Sequence, residues 1–462
     1  MSSSSIPSTS PASLVSLDLP PLAPGAMPVY LDNNATTPLL PSVTVAMMPF
    51  LTAGVNNTYF GNPSSSHLFG RSAKSAFEDA RRDIATCIEA GSSDEIVILS
   101  GATESLNFSL IGGAKRQRAL GRGNHIITSS FEHIATLEIV KYLADVEGFE
   151  VTILPVNEFG LVSAESVAAA VTPSTILISL MLANNEIGSI LPIREIVQAV
   201  RATSIKNGRD IWVHTDASQA IGKMRVSVEE LGVDMLTIAG HKIYAPKGIG
   251  ALYIRHSSIG ANGGLCKLIH GANHERDRRA GTENVLLAVG LGAACKEITN
   301  IRPEEIEQQF TQMRDALQAS IEKHLQQLKE EHKLVASIDA TPSETNSPSP
   351  PAPKSFHYDF RIHGHPIHRL SNTLSIGFHR INSSELLRRL SSHIAASAGS
   401  ACHADSVQLS YVLQAIKAGN EYGMGTIRLS VGRFNTIGEM DQCGRWIAQT
   451  VVQLWIEAQN QA

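Results

Sequence analysis

No lysine or arginine precedes Arg71 in this chain of 462 residues. A mitochondrial transit segment is rich in arginine, and a secretory signal opens with basic residues before an apolar run, so neither pattern is met. The Ser- and Pro-rich stretch 1–28, with Asp18 its one charged side chain, is therefore expected to be a disordered tail on a cytosolic protein. Cysteine is scarce: Cys87, Cys266, Cys295, Cys402 and Cys443 form an odd, scattered set without paired spacing, which excludes a disulfide framework. Long apolar runs are absent as well. Ile176 to Ala183 is among the longest and falls far short of the roughly 20 residues a membrane helix needs. The net charge of −5 with 18% charged residues offers no basic footprint for nucleic acid. Neither a G-x-G-x-x-G fingerprint nor a Walker A loop occurs, which removes the commonest nucleotide sites.

What is present centres on Lys242. Met235–Ala239 and Gly248–Ile254 are short apolar runs of strand type, and Gly240, Pro246 and Gly248 between them force a turn. That turn presents Lys242 at a strand end. A lone loop lysine is ordinarily a solvated charge, and it becomes a nucleophile only where burial or a neighbouring cation lowers its pKa. The run Ile211–Gln219 changes its meaning, because that strand pattern ends in Asp216. Functional groups in parallel α/β sheets gather at the carboxyl ends of strands. A lysine and an aspartate delivered there suit pyridoxal phosphate, whose aldehyde needs an amine and whose pyridine nitrogen needs an acid. By spacing alone Asp216 is equally an N-cap.

Around this pair the chain alternates strands with helical patterns. Ile96–Leu99, His125–Thr128, Val151–Pro155 and Thr175–Leu182 read as strands, Ala164–Ala170 and Ile193–Ala202 as helices. The alternation predicts an α/β fold with a mainly parallel sheet and helices on both faces. Gly101-Ala102-Thr103 opens a helix directly after a strand, and its free N–H groups with the Thr103 hydroxyl form a natural phosphate cradle.

The ordered motifs are Asn33-Asn34-Ala35-Thr36-Thr37-Pro38, Gly61-Asn62-Pro63-Ser64, Gly101-Ala102-Thr103-Glu104-Ser105, Glu132-His133, Asn184-Asn185-Glu186 and His214-Thr215-Asp216-Ala217-Ser218-Gln219. They continue with Gly240-His241-Lys242, Arg279-Ala280-Gly281-Thr282, Gly399-Ser400-Ala401-Cys402-His403 and Thr426-Ile427-Arg428. Together they resemble the pyridoxal-phosphate-dependent cysteine desulfurase and selenocysteine lyase family, within the class V aminotransferases, from about Tyr30 to about Gly438. The resemblance implies fold type I and a role for each residue. Lys242 binds the cofactor covalently and takes the substrate's Cα proton. Asp216 pairs with the pyridine nitrogen, His133 stacks on the ring as a catalytic residue, and Asn185 and Gln219 approach the 3′ oxygen. Ala102, Thr103 and His241 hold the phosphate, with Thr282 reaching it from the second subunit of a homodimer, and Gly240 also belongs to the cofactor-binding set. Arg428 and Asn34 bind the substrate, and Cys402 is the catalytic thiol. The Cys402-His403 pair is closer to selenocysteine lyases, so the expectation is release of selenium or sulfur from L-selenocysteine or L-cysteine, giving L-alanine. A cysteine desulfurase handing a Cys402 persulfide to an acceptor protein is the alternative. A different pyridoxal-phosphate aminotransferase or hydrolase, or a non-catalytic scaffold, stands behind both. Two positions depart from the family pattern: Ala239 where many desulfurases carry a phosphate-binding serine, and Gly271-Ala272-Asn273-His274 in place of a glycine-richer loop.

The division expected is a large cofactor domain over 29–295, its first segment packing on a smaller α+β domain over 296–462 that carries a Pro/Ser-rich insertion at 341–353. Ile306, Phe310, Met313, Leu317, Ile321, Leu325 and Leu328 share one face of a long helix. Thr436 and Glu439 read as a capping box for the last helix. His357, His363, His365 and His368 lack a cysteine or carboxylate at ligand spacing, so no metal is expected. In Thr426–Val431 alternation leaves Arg428 on the face opposite Ile427, Leu429 and Val431, free to grip a substrate carboxylate.

Overall fold

The computed structural model describes residues 17–461 apart from 18, 20, 22, 24, 53, 55–56, 207–209, 261–263, 335–356 and 404–405. Most of the Ser/Pro-rich tail and the whole 341–353 insertion thus lie outside the described residues. The strands, in chain order, are β1 (Val29–Tyr30), β2 (Ile96–Leu99), β3 (His125–Ser129), β4 (Glu150–Leu154), β5 (Thr175–Met181), β6 (Trp212–Asp216), β7 (Met235–Ala239) and β8 (Gly250–Ile254). They continue with β9 (Phe360–His363), β10 (Thr373–Phe378), β11 (Ile394–Ala395), β12 (Ser397–Ala398), β13 (Ser400–His403), β14 (Ser406–Leu409) and β15 (Thr426–Ser430).

Seven strands build one sheet in the order β2-β8-β7-β6-β5-β3-β4. The pairs from β7 to β4 are parallel, while β8 runs antiparallel to both β7 and β2. The central strands β5, β6 and β7 are buried along their whole length because both faces are covered. On one face Ile98, Ile127, Ile178, Leu180, Val213, Leu236 and Ile238 enter one core. The neighbouring residues Val97, Leu99, Ile126, Leu177, Trp212 and Met235 enter another on the opposite face. Leaving β8 aside, every strand of this sheet ends on the same edge, so that edge collects the loops after Leu99, Ser129, Met181, Asp216 and Ala239.

A second sheet, β12-β15-β10-β9, is antiparallel. The helices Pro303–Glu331 and Ile437–Gln461 pack with it around Phe310, Leu317, Ile321, Ile447, Val451 and Trp455. Of the expected helix face, Ile306 to Leu325 is buried and Leu328 lies at its edge. The Thr436–Glu439 capping box forms in both directions, Thr436 N–H to Glu439 Oε2 at 2.7 Å and Glu439 N–H to Thr436 Oγ1 at 3.3 Å. The N-terminal segment belongs to this second core: β1 pairs in parallel with β11, Leu31 is buried there, and Asp32 bridges to Ser430. The helix Val285–Thr299 still packs in the first core, whereas Pro303–Glu331 packs in the second. No helix among the described residues is long and apolar enough to cross a membrane.

Candidate active site

The strand ends enclose a cavity of about 720 Å³. Its lining includes Ala102, Thr103, His133, Asn185, Asp216, Gln219, His241 and Lys242. Eight of the residues assigned from the sequence therefore meet in one place. They come from separate loops, and only the parallel sheet brings them together.

Lys242 closes a single 3₁₀ turn, Gly240–Lys242, at the end of β7. Its Nζ donates to the carbonyl oxygens of Asn34 and, at 2.9 Å, Ala35. Burial lowers its pKa to about 8, and Arg428 adds to the shift while Asp216 and Asp32 oppose it. Asp216 ends β6, and its Oδ1 accepts from the Ser218 N–H at 2.9 Å, which orients the carboxylate from below. Beneath it His214 is locked between Ser179 Oγ and Thr237 Oγ1, each at 2.9 Å. Complete burial holds that imidazole neutral, its pKa pushed down to about 3.

His133 caps the helix Ile134–Asp145 by accepting from the Ala135 N–H through Nδ1 at 3.1 Å. Its pKa is lowered by burial first, with Lys242 adding and Asp216 opposing. The capping bond spends Nδ1 on the main chain and fixes the ring plane at the cavity wall. The adjacent Glu132 is fully buried, and burial pushes its carboxyl up to about 8. Asn185 Oδ1 and Ser218 Oγ line the cavity and find no hydrogen-bond partner among the described residues. Orphaned buried polar atoms are costly, so they mark where a bound group supplies the missing bonds.

Several assigned residues lie elsewhere. Asn34 is fully committed inside the protein. Its Nδ2 donates to Thr373 Oγ1 (2.8 Å) and Asn185 O (3.1 Å), and its Oδ1 accepts from Asn372 and Lys223, each at 3.1 Å. It acts as a hub that ties the two sheets together, with its main-chain oxygen turned to Lys242. Thr282 lines a separate cavity of about 240 Å³ that shares Ser100, Gly248 and Ile249 with the larger one. Arg428, expected free, is engaged: Asp32 Oδ1, Ser397 Oγ and Asn185 O accept from it at 2.7, 3.0 and 3.1 Å. Alternation along the strand reveals the face, but the ion pair joins residues far apart in sequence. Cys402 lies in the hairpin β13–β14, its backbone in register with Val407, and its side chain is outside the described set.

Sequence reasoning missed Lys223. This lysine is buried beside the cavity, and its Nζ donates to Gln219 Oε1 at 2.6 Å and to Asn34 Oδ1. Burial lowers its pKa well below the usual lysine value, and the nearby cations Lys242 and Arg428 lower it further. It holds the Gln219 amide so that Nε2 faces the Asn34 carbonyl, at 2.9 Å. Its spacing from Asp216 and Gln219 is the one signal the sequence offers for it. The loop that departs from the family pattern leads into Glu275, Arg276 and Asp277, all with φ between 49° and 66°. Such left-handed backbone needs an anchor. Here the buried Glu275 carboxylate takes two bonds from Arg81, at 2.6 and 2.8 Å, and a third from the Ile98 N–H.

A mainly parallel sheet with a half-buried lysine, an aspartate and a histidine at its carboxyl edge defines a pyridoxal-phosphate enzyme of fold type I. The class-V aminotransferase family matches residues 29–339, and the chain belongs to that family. It is 39% identical to the cysteine desulfurase IscS of Methanosarcina thermophila over 92% of each chain. It is 36% identical to the cysteine desulfurase of Homo sapiens, covering 91% of this chain and 81% of that one. Among solved structures, a NifS-like protein superposes with a TM-score of 0.75 at 32% identity, covering 93% of this chain and all of the other. A second, SspA in complex with cysteine, gives 0.67 at 32% identity over 88% of this chain and 99% of its own.

Proposed function

We propose that this protein is a cysteine desulfurase, converting L-cysteine to L-alanine and leaving the sulfur on Cys402. The observation that carries the reading is the joint placement of Lys242, Asp216 and His133 around a cavity bordered by two orphaned polar groups. The selenium preference expected from Cys402-His403 finds no echo in the relatives above, whose names specify cysteine.

The residues present suit pyridoxal phosphate. Lys242 would hold it, Asp216 would serve its ring nitrogen, His133 its face, and Ala102, Thr103, Gly240 and His241 its phosphate. When bound, the cofactor supplies an electrophilic aldehyde and an electron-withdrawing ring that acidifies the substrate's Cα–H. Lys242 Nζ, held by the Asn34 and Ala35 carbonyls, accepts the Cα proton and returns one as alanine forms. Arg428 receives the substrate carboxylate. The Cys402 thiolate attacks the substrate sulfur, an S–S bond forms, and the Cβ–S bond breaks with its electron pair on carbon. Carbon is then protonated, so L-cysteine and an enzyme thiol give L-alanine and an enzyme persulfide, whose terminal sulfur an acceptor protein collects. The scattered thiols suit a reducing compartment such as the cytosol.

Replacing Cys402 with serine is expected to abolish persulfide formation and cut alanine release from L-cysteine by about 100-fold or more. The measurement is alanine formed from L-cysteine and from L-selenocysteine, with labelling of the persulfide. A higher kcat/KM for L-selenocysteine, with no persulfide on Cys402, overturns the sulfur assignment in favour of a selenocysteine lyase.

The active unit is a homodimer. Thr282 stands outside its own main cavity, which suits a contact to the partner's cofactor phosphate. Val45, Met48, Leu51, Tyr59, Phe60 and Leu68 expose apolar side chains on the helix Pro41–Leu51 and the segment after it, a surface that asks for cover. Sedimentation at micromolar concentration is expected to show a dimer. A fully active monomer is the result that rules it out.

A further inference from the structure

Arg428 lies on β15 opposite Ser397 of β12, and its guanidinium has three occupied bonds. Nη2 donates to both Asp32 Oδ1 and Ser397 Oγ, which uses both of its protons, and Nη1 donates to the Asn185 carbonyl. Nε–H is buried without an acceptor among the described residues. A carboxylate is gripped firmly by two parallel N–H bonds from one edge of the fork. Both such edges, Nε–Nη2 and Nη1–Nη2, include the nitrogen already spent. Ser397 is tied to the same carboxylate, since its hydroxyl donates to Asp32 Oδ1 at 2.8 Å. Beyond Ser397 the strand runs through Gly399 straight into the hairpin that carries Cys402.

We propose that Asp32 is a specificity residue: a resident stand-in for the substrate's α-carboxylate that must yield Arg428 Nη2 before an amino acid is held. The inference rests on the reading of Arg428 as the carboxylate receptor. Asp32 neutralises a guanidinium that would otherwise lie largely buried without a counter-charge. A ligand carboxylate replaces that pairing like for like, whereas an amine or thiol lacking one has nothing to offer in exchange and is refused. The exchange frees the Ser397 hydroxyl from its shared contacts. Occupation of Arg428 is thereby passed along β12 to the base of the Cys402 hairpin.

The test uses the cofactor-loaded enzyme and L-alanine, which binds without having sulfur to lose. Its Kd is read by calorimetry and by the cofactor absorbance for the unmodified protein, Asp32→Asn, Asp32→Ala and Arg428→Gln, each checked for an unchanged melting profile. Removing the competing carboxylate is expected to tighten L-alanine about fivefold in both Asp32 variants, and Arg428→Gln to weaken it by more than tenfold. Amide exchange over β12 and the hairpin is the second readout. Ligand-free Asp32→Ala, which removes the acceptor shared by Ser397 and Arg428 Nη2, is expected to match L-alanine-bound unmodified protein there, which mere relief of charge repulsion does not produce. If Arg428→Gln leaves the Kd unchanged, the carboxylate reading of Arg428 fails. If Arg428→Gln weakens binding but the Asp32 variants weaken it too or leave it unaltered, or if the exchange patterns do not match, the stand-in role fails while Arg428 keeps its own.

Discussion

Lys242→Ala is expected to lower alanine formation from L-cysteine by roughly 1,000-fold or more, because in the proposed mechanism one side chain both captures the cofactor and moves the Cα proton. The environment prepares that amine. Burial and Arg428 bring its pKa down to about 8, against about 10.5 for a free lysine. Around pH 7 a useful minority of Lys242 is then uncharged, where a solvated lysine would have almost none. The sign follows directly: only the neutral amine attacks an aldehyde, so capture of pyridoxal phosphate by cofactor-free protein should accelerate as pH rises through about 8 and level off above it. Borohydride reduction followed by peptide mapping should place the cofactor on Lys242. A reducible linkage persisting in Lys242→Ala would place the covalent attachment on another residue. Lys223, the second buried amine beside the cavity, is the residue such a result would indict, since its Nζ lies within reach of Gln219 and Asn34.

Asp216→Asn should be nearly as damaging, lowering kcat by about 100-fold with little change in KM for L-cysteine. The carboxylate sits at the end of β6, and its orientation is set by the Ser218 N–H and by strand register with Met181 and Thr237. Asparagine preserves the size of the side chain and can still accept from Ser218, so the fold should survive. It cannot hold a proton on the ring nitrogen through a negative charge, and the ring loses most of its power to withdraw electrons. Absorbance of the bound cofactor gives a readout independent of turnover. An Asp216→Asn protein with unaltered spectrum and unaltered kcat would remove this residue from the reaction and leave the cavity without an electrostatic anchor.

The residues at strand ends are legible in the amino-acid sequence itself. Lys242, Asp216 and His133 each follow an apolar run that breaks on polar or turn-forming residues, and that signal is local. The α/β alternation is legible for the same reason, since β5 is a mostly apolar run, β6 opens on Trp212 and Val213, and the helix between them shows its own period. The face carrying Arg428, the helix Pro303–Glu331 and the capping box at Thr436 all depend on residues within a few positions of one another.

Tertiary structure decided what the cavity residues do to one another. The pairing of Asp32 with Arg428, the bond from Lys223 to Gln219 and Asn34, and the anchoring of Glu275 by Arg81 all bridge segments from different loops or different sheets. Periodicity and motif spacing report which face a side chain occupies, not which distant side chain it meets there. That is why Asn34, read as a substrate ligand, proved to be spent on Thr373, Asn372, Lys223 and Asn185. Hydrogen-bonding capacity is finite, and how each donor and acceptor is used is settled only when the chain closes and burial requires every polar group to find a partner.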